Sequence, residues 1–380
     1  NFYVYILTNK VGEDRYPNQY KKKRIDGSAE NTDRLYRNDW DSLKGHPVFT
    51  NVSREAGILI EGYGLGLNIT DINKDGWKDI YVTNDFLSND ILWINNQDGT
   101  FTNLAAEYFK HTSYSAMGND VVDINNDGLL DIYICRLGNF EKFVSKNQLL
   151  ICVGIENGIP KYKEAAAEYG LDFSGFSTQA SFFDYDQDGD LDVFLLNHSV
   201  HQNGTFAPRT SFMGTFDPLS GDRIFANNNG HFEDVTKASK INSTAISYGL
   251  GVVMSDINLD GWVDIYAGND FHENDYLYIN DRKGGFLEQS EQSLMHTSQF
   301  SMGVDVSDIN NDGAPEILSV DMLPADYNIL KRSLGEDEYN IAQMKVKYGY
   351  QYQFTRNNLH LNRGNGHFSE IGLFSGIHAT

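Results

Sequence analysis

The sequence predicts an all-β fold, a β-propeller of four-stranded antiparallel blades, on three observations. An acidic nine-residue motif recurs five times, a long stretch is duplicated, and the segments between are short alternating runs closed by Gly- and Asn-rich turns. The motif starts at Asp71, Asp123, Asp184, Asp256 and Asp308, at spacings of 52, 61, 72 and 52 residues. Residues 62–131 match 247–316 without a gap at an offset of 185, with 36 identities in 70 positions. Low complexity does not produce such a match, so a two-blade unit has been copied. Four short strands per period, repeated radially, is the pattern of a propeller.

Each period reads the same way. The Gly-rich alternating run 63–70 gives strand A, the acidic loop follows, and 79–83 gives strand B. Residues 90–95 give strand C, an Asn-Asn-Gln-Asp-Gly turn reverses the chain, and 100–104 give strand D. Other C–D hairpins carry Asn-Asn-Asn-Gly at 227–230 and Arg-Gly-Asn-Gly at 363–366. These turns suit hairpins because they accept positive φ. At the start, 2–9 reads as a strand B without its acidic loop, and 34–38 with 48–52 as the C–D pair after it. The last hairpin is 358–371, and 376–380 stop where a new strand A is due. Both ends thus read as cut: a single domain over 1–380, with a partial blade at 1–53, five complete blades, and closure with six or seven.

Composition agrees. The 380 residues carry 30 Lys and Arg against 53 Asp and Glu, a net charge of −23, which argues against nucleic acid as a partner. Aromatics at 13 % and hydrophobics at 40 % are too rich for a disordered acidic chain. The 35 Gly and 37 Asn favour turns and short strands over long helices. No run approaches the 18 or so apolar residues that a membrane-spanning helix needs. Two cysteines, Cys135 and Cys152, cannot form a disulfide framework. Pairing Cys135 opposite about residue 149 puts Cys152 some 10 Å away, at about 3.3 Å per residue, so both are expected as free thiols.

The acidic motif supplies side-chain oxygens at positions 1, 3, 5 and 9 and a backbone carbonyl at position 7, with Gly at position 6 for the sharp turn. The candidate ligands are Asp71, Asn73, Asp75, Trp77 and Asp79; Asp123, Asn125, Asp127, Leu129 and Asp131; Asp184, Asp186, Asp188, Asp190 and Asp192; Asp256, Asn258, Asp260, Trp262 and Asp264; and Asp308, Asn310, Asp312, Ala314 and Glu316. Oxygen-only ligation at this spacing suits Ca²⁺, which accepts six to eight ligands in flexible geometry. The loop opens like an EF-hand but runs into a strand after position 9, without the twelfth-position Glu. A single such loop could be merely a good turn; five in register point to five Ca²⁺ ions. They are most simply structural clamps on the A–B hairpins, offsetting ten of the excess negative charges.

These loops resemble the FG-GAP or VCBS repeats of integrin-α-like propellers, and the resemblance covers the chain from about Arg34 onward. Further phrases, at 177–186, 195–201, 269–276 and 368–371, resemble large VCBS-repeat surface lipoproteins of the Bacteroidota. The resemblance implies an exported, calcium-dependent propeller on the extracellular face of the bacterial outer membrane. It further implies a non-catalytic role, binding or scaffolding within an outer-membrane protein complex. The alternatives are a glycan-binding module of a nutrient-uptake system and, less favoured, a calcium-dependent polysaccharide-degrading enzyme.

Other features are weaker. His198 and His201 form His-x-x-His outside a helix and without the Glu base of a zinc hydrolase, so packing explains them better. Asn84 to Asp90 and Asn269 to Asp275 occupy matching positions and read as Asx-turns closing the B–C connections. The B–C connections at 198–221 and 322–356 are long, and in an antiparallel blade they lie opposite the acidic loops. The second carries an expected helix over 334–347 and then an aromatic run: Tyr348, Tyr350, Tyr352 and Phe354. The run is the expected contact for a protein or glycan partner; packing against the propeller itself is an equal alternative.

Overall fold

The computed structural model describes residues 3–8, 23–85, 88–138, 144–200, 207–333 and 337–379. They form two compact units, 1–137 with 147–166, and 138–146 with 167–380. The fold is the expected β-propeller, with six blades.

The first unit begins with a three-stranded sheet, β1 (Tyr3–Ile6), β2 (Arg34–Asp41) and β3 (His46–Asn51), in that spatial order. This is the B–C–D set expected of a partial blade. The first complete blade follows: β4 (Gly64–Thr70), β5 (Asp79–Asn84), β6 (Ile91–Asn95) and β7 (Phe101–Asn103), then the one-turn helix α1 (Ala105–Tyr108). The second is β8 (Ala116–Val122), β9 (Asp131–Arg136), β10 (Gln148–Glu156) and β11 (Ile159–Glu164), then α2 (Ala166–Tyr169). Every pairing is antiparallel between sequence neighbours. Cores lie between blades: Tyr5 and Leu35 pack with Ile80, Val82, Ile91 and Trp93, and Tyr81, Leu92 and Ile94 pack with Ile132 and Ile134.

The second unit holds three blades. They are β12 (Ser177–Phe183), β13 (Asp192–Asn197), β14 (Arg223–Asn227) and β15 (Phe232–Asp234), with α3 (Thr236–Ser239); and β16 (Gly249–Ser255), β17 (Asp264–Asn269), β18 (Tyr276–Asn280) and β19 (Phe286–Glu288), with α4 (Ser290–Ser293). After β20 (Thr297–Ser298) come β21 (Gly303–Ser307) and β22 (Glu316–Val320), then α5 (Tyr327–Leu330), α6 (Tyr339–Lys347) and β23 (Gln353–Phe354). The fifth blade closes with β24 (Asn358–Asn362), β25 (Phe368–Glu370) and α7 (Gly372–Ser375). Again the cores are shared between neighbours, as where Phe194, Leu196 and Ile224 meet Ile265, Tyr276 and Tyr278.

Glycines in strand A follow from crowding. A Cβ at Gly66 would stand 2.3 Å from Thr83 Oγ1 and 2.8 Å from Met117 O on the next blade's inner strand. The one-turn helices were not anticipated. Those after strand D are fixed by a side chain at its end: Asn103 Oδ1 accepts from Ala105 N at 3.1 Å, Asp234 Oδ1 from Thr236 N at 3.0 Å, and Glu288 Oε1 from Ser290 N at 2.8 Å. Cys135 and Cys152 are buried free thiols, as expected. The register differs by two residues, since Leu149 pairs with Tyr133. The correction moves Cys152 farther from Cys135. Among the described residues, no helix is long and apolar enough to cross a membrane.

Candidate metal centres and binding face

The five acidic loops share one backbone. Position 4 is left-handed in all of them, at Lys74, Asn126, Gln187, Leu259 and Asn311, with φ between 57° and 61°. Gly76, Gly128, Gly189, Gly261 and Gly313 at position 6 have φ between 84° and 95°. This path folds the side chains inward. In the first loop Asp71 Oδ1 accepts from Asp75 N at 2.9 Å, and Asp71 Oδ2 accepts from Gly76 N at 2.8 Å. The same pair of bonds recurs from Asp123, Asp256 and Asp308.

Position 9 ties each loop to its blade. Asp79 accepts from Ile72 N at 3.1 Å and from Asn95 N, at the end of strand C, at 2.9 Å. Asp131, Asp192 and Asp264 repeat both bonds, and Glu316 repeats the first. Burial, reinforced by the loop's other carboxylates, pushes Asp79, Asp131 and Asp264 up to about 6 and Asp192 up to about 7.

The third loop is the most acidic, with Asp at positions 1, 3, 5, 7 and 9. Ligand oxygens of Asp184, Asp186 and Asp188 lie within 4.8 Å of one another. Asp184 Oδ1 and Asp186 Oδ1 are buried without a hydrogen-bond partner. Burial and then the Asp188 charge raise the Asp186 carboxyl. In the first, second and fourth loops Asn at position 3 relieves such repulsion: Asn73, Asn125 and Asn258 donate to the position-5 carboxylates at 3.4, 3.1 and 3.0 Å. In the fifth, Asn310 donates instead to Glu316 at 3.3 Å.

Sequence reasoning missed what the C–D hairpins contribute. Arg282 Nη2 lies 2.7 Å from Asp260 Oδ2, and Gln97, its counterpart at the 185-residue offset, donates to Asp75 Oδ2 at 3.2 Å. The duplication aligns Gln97 with Arg282 in hairpins that keep Asn95/Asn280, Gly99/Gly284 and Phe101/Phe286.

The opposite ends of the blades are closed by a second repeated device. A residue at the end of strand B donates its N–H to an Asp or Asn Oδ1 just before strand C. The pairs are Thr8–Asp33, Asn84–Asp90, Arg136–Asn147, Asn197–Asp222, Asn269–Asp275 and Asp321–Asn357, at 2.7 to 3.0 Å. Tyr5, Tyr81 and Tyr266 on strand B donate to the other oxygen of Asp33, Asp90 and Asp275. Asn84 and Asn269 are therefore closure residues, as expected; Phe86 and Leu87, in the first of these connections, lie outside the described residues. His198 packs edge-on against Tyr248 at 5.5 Å, and burial pulls its pKa down. His201 lies outside the described residues.

The two insertions pack together beside the fourth blade. Arg209 N donates to Tyr348 O at 2.8 Å, and the Tyr350 hydroxyl donates to Ala207 O at 2.9 Å. Arg209 Nε meets the buried Glu273 carboxylate at 2.9 Å, and Tyr276 donates to the same oxygen at 2.9 Å. Residues 201–206 and 334–336 lie outside the described residues; the expected helix begins at Tyr339 and is preceded by α5. The aromatic run needs correction as a contact surface. Tyr350 is only 2 % exposed, clustered with Ile246 and Tyr248, and Tyr348 packs against that cluster. Phe354 is half-buried against His296, ring to ring at 4.7 Å. Tyr352 alone of the four is exposed, at 53 %. Residues 353–354 pair in parallel with Thr297 and Ser298, and the bonds from Arg209 N to Tyr348 O and from the Tyr350 hydroxyl to Ala207 O hold those two tyrosines against the first insertion.

Comparison with protein families finds the FG-GAP-like repeat at 71–134 and 256–319, two segments at the same 185-residue offset as the duplication. Comparison with curated proteins finds no match. Among solved structures, an Agrocybe aegerita lectin recognising non-reducing terminal N-acetylglucosamine is 15 % identical, with 91 % of this chain and 77 % of that chain covered and a TM-score of 0.45. The V. cholerae biofilm matrix protein Bap1 is 15 % identical, with 70 % and 36 % covered and a TM-score of 0.35. A Photorhabdus luminescens Tc holotoxin pore structure is 12 % identical, with 84 % and 14 % covered and a TM-score of 0.34. The chain thus spans about a third of Bap1 and a smaller share of the holotoxin chain. At these TM-scores the likenesses carry no functional weight. The chain is a β-propeller that carries FG-GAP-like repeats at 71–134 and 256–319.

Proposed function

We propose that the protein is a non-catalytic, calcium-stabilised binding module on the extracellular face of a bacterial outer membrane, engaging a protein partner through its insertions. The observation that carries this reading is the joining of the 198–221 and 322–356 insertions into one platform, through Arg209 to Tyr348 and Tyr350 to Ala207. Two segments that break the repeat are held together, while large side chains on and beside them, Tyr339, Met344 and Tyr352, stay exposed. Exposed aromatic and Met side chains on a fixed support suit a protein interface.

Calcium fits the opposite ends of the blades. The donor set is oxygen-only, and the buried, unpartnered oxygens of Asp184 and Asp186 are what a hard cation would satisfy. Ions at five loops would hold the A–B hairpins and neutralise clustered carboxylates. The outer-membrane location rests on the resemblance of the phrases at 177–186, 195–201 and 269–276.

The test is a pull-down from native membranes by the wild-type chain and by Tyr352→Ala and Tyr339→Ala variants. The reading expects a discrete partner, retained by wild type and lost from the variants with calcium content unchanged. Equal capture by all three would overturn the assignment of the face.

A further inference from the structure

The duplicated halves differ where the fourth complete blade carries a cavity. In the first copy Leu104 and Tyr108 fill the space between the first blade and the hairpin of the second. Tyr108 is buried with Leu92 and Ile94, with Leu104 packed against them, and its hydroxyl donates to Gly158 O at 3.3 Å. At the 185-residue offset the second copy has Gln289 and Ser293 instead, while Leu277 and Ile279 keep the places of Leu92 and Ile94. The smaller Ser293 hydroxymethyl stands where the first copy has a phenol, and Gln289 where it has an isobutyl group; both line a cavity of about 340 Å³. Asn362 and Phe368 of the fifth blade bound the far side.

The lining defines the ligand class. Leu277, Ile279 and Phe368 supply an apolar wall; Gln289 and Ser293 supply an amide and a hydroxyl, while the Asn362 amide is held by Ile257 O, Pro315 O and Gly364 N. All eleven lining residues are uncharged, so a charged guest would be desolvated without a counter-ion. The volume falls in the range of small-molecule sites, about 300–1,000 Å³. A ring with one apolar face and a hydroxyl-bearing edge matches both walls.

We infer that this cavity binds a neutral, hydroxyl-bearing ring of monosaccharide size. The site lies on the side of the fourth acidic loop, is separate from the insertion platform, and does not depend on the partner assigned to that platform.

Saturation-transfer NMR with methyl glycosides of neutral hexoses and N-acetylhexosamines tests it, with glucuronic acid as the charged control. Wild type should show transfer to at least one neutral glycoside and none to the control. Gln289→Leu with Ser293→Tyr restores the first copy's residues and should weaken binding by about 10-fold or more, since it removes hydrogen-bond partners and fills the space. Gln289→Leu alone, which nearly preserves volume, should weaken it several-fold in a normally folded chain. Tyr352→Ala should bind the glycosides as wild type does. The inference is overturned if no neutral glycoside binds wild type, if Gln289→Leu binds normally, or if Tyr352→Ala is the variant that loses binding.

Discussion

Arg282 Nη2 sits 2.7 Å from Asp260 Oδ2, so the fourth acidic loop already holds a cation against one of its own candidate metal ligands. The half-exposed guanidinium draws on the same oxygen that a bound ion would use. Replacing Arg282 by Gln, the residue its duplicate has at position 97, should tighten calcium binding at this loop. A partly exposed pair of this kind is worth about 1 kcal/mol, or about 5-fold in affinity. Calcium titration calorimetry of wild type and Arg282→Gln checks the direction; unchanged affinities would show that the guanidinium swings away at no cost.

The Arg209–Glu273 pair makes a different demand. Both side chains are largely buried, with Arg209 Nε and Tyr276 Oη on one carboxylate oxygen. Arg209→Ala leaves Glu273 without its counter-ion and should cost about 3–5 kcal/mol in urea unfolding. Replacing both by apolar residues of similar volume should cost much less. If Arg209→Ala unfolds like wild type, the pair does not hold the insertion.

Tyr350 and Tyr352 are two residues apart and should separate by role. Tyr350→Ala removes a buried ring and its bond to Ala207, for a loss of about 3–5 kcal/mol. Tyr352→Ala should change stability by about 0.5 kcal/mol or less while weakening partner capture. Thermal melts of the two variants distinguish packing from presentation.

His360 sets an expected acid dependence. It is fully buried on β24, with both ring nitrogens unpartnered. The neighbouring His296 ring is 6.3 Å away, and Glu370 pairs with it across the sheet. Arg356 lies 3.2 Å from Glu370. Burial, with a smaller push from His296, lowers its pKa to about 3. The unfolded chain takes up this proton near pH 6.5 and the folded chain only near 3, so stability is full above 6.5 and declines as pH falls between them. The loss by pH 5 should be about 2 kcal/mol, and His360→Leu should flatten it. Urea midpoints at pH 7 and 5 for both proteins measure the difference.

Much of this was legible because the repeats place defined chemistry at fixed intervals. The acidic loops announce strand A before them and strand B after them, and β4 to β7 follow the expected order within a residue or so. The closure by Asp90 and Asp275 was readable from the matching phrases. The one-turn helices were hidden because four residues carry no periodicity; their cause is a single side chain such as Asn103 or Glu288. The inward turn of Tyr350 and the salt bridge of Arg209 depend on contacts between segments 64 to 143 residues apart in sequence. The duplication did mark the place, since Glu273 stands where the first copy has Ser88.

We propose that the five acidic loops, which share one backbone path, all hold calcium. Metal analysis of protein purified without chelator tests it most directly. About five Ca²⁺ per chain are expected, falling to about four when Asp184, Asp186 and Asp188 are all changed to Asn. Two or fewer calcium ions per chain, or a preparation dominated by zinc, would contradict it.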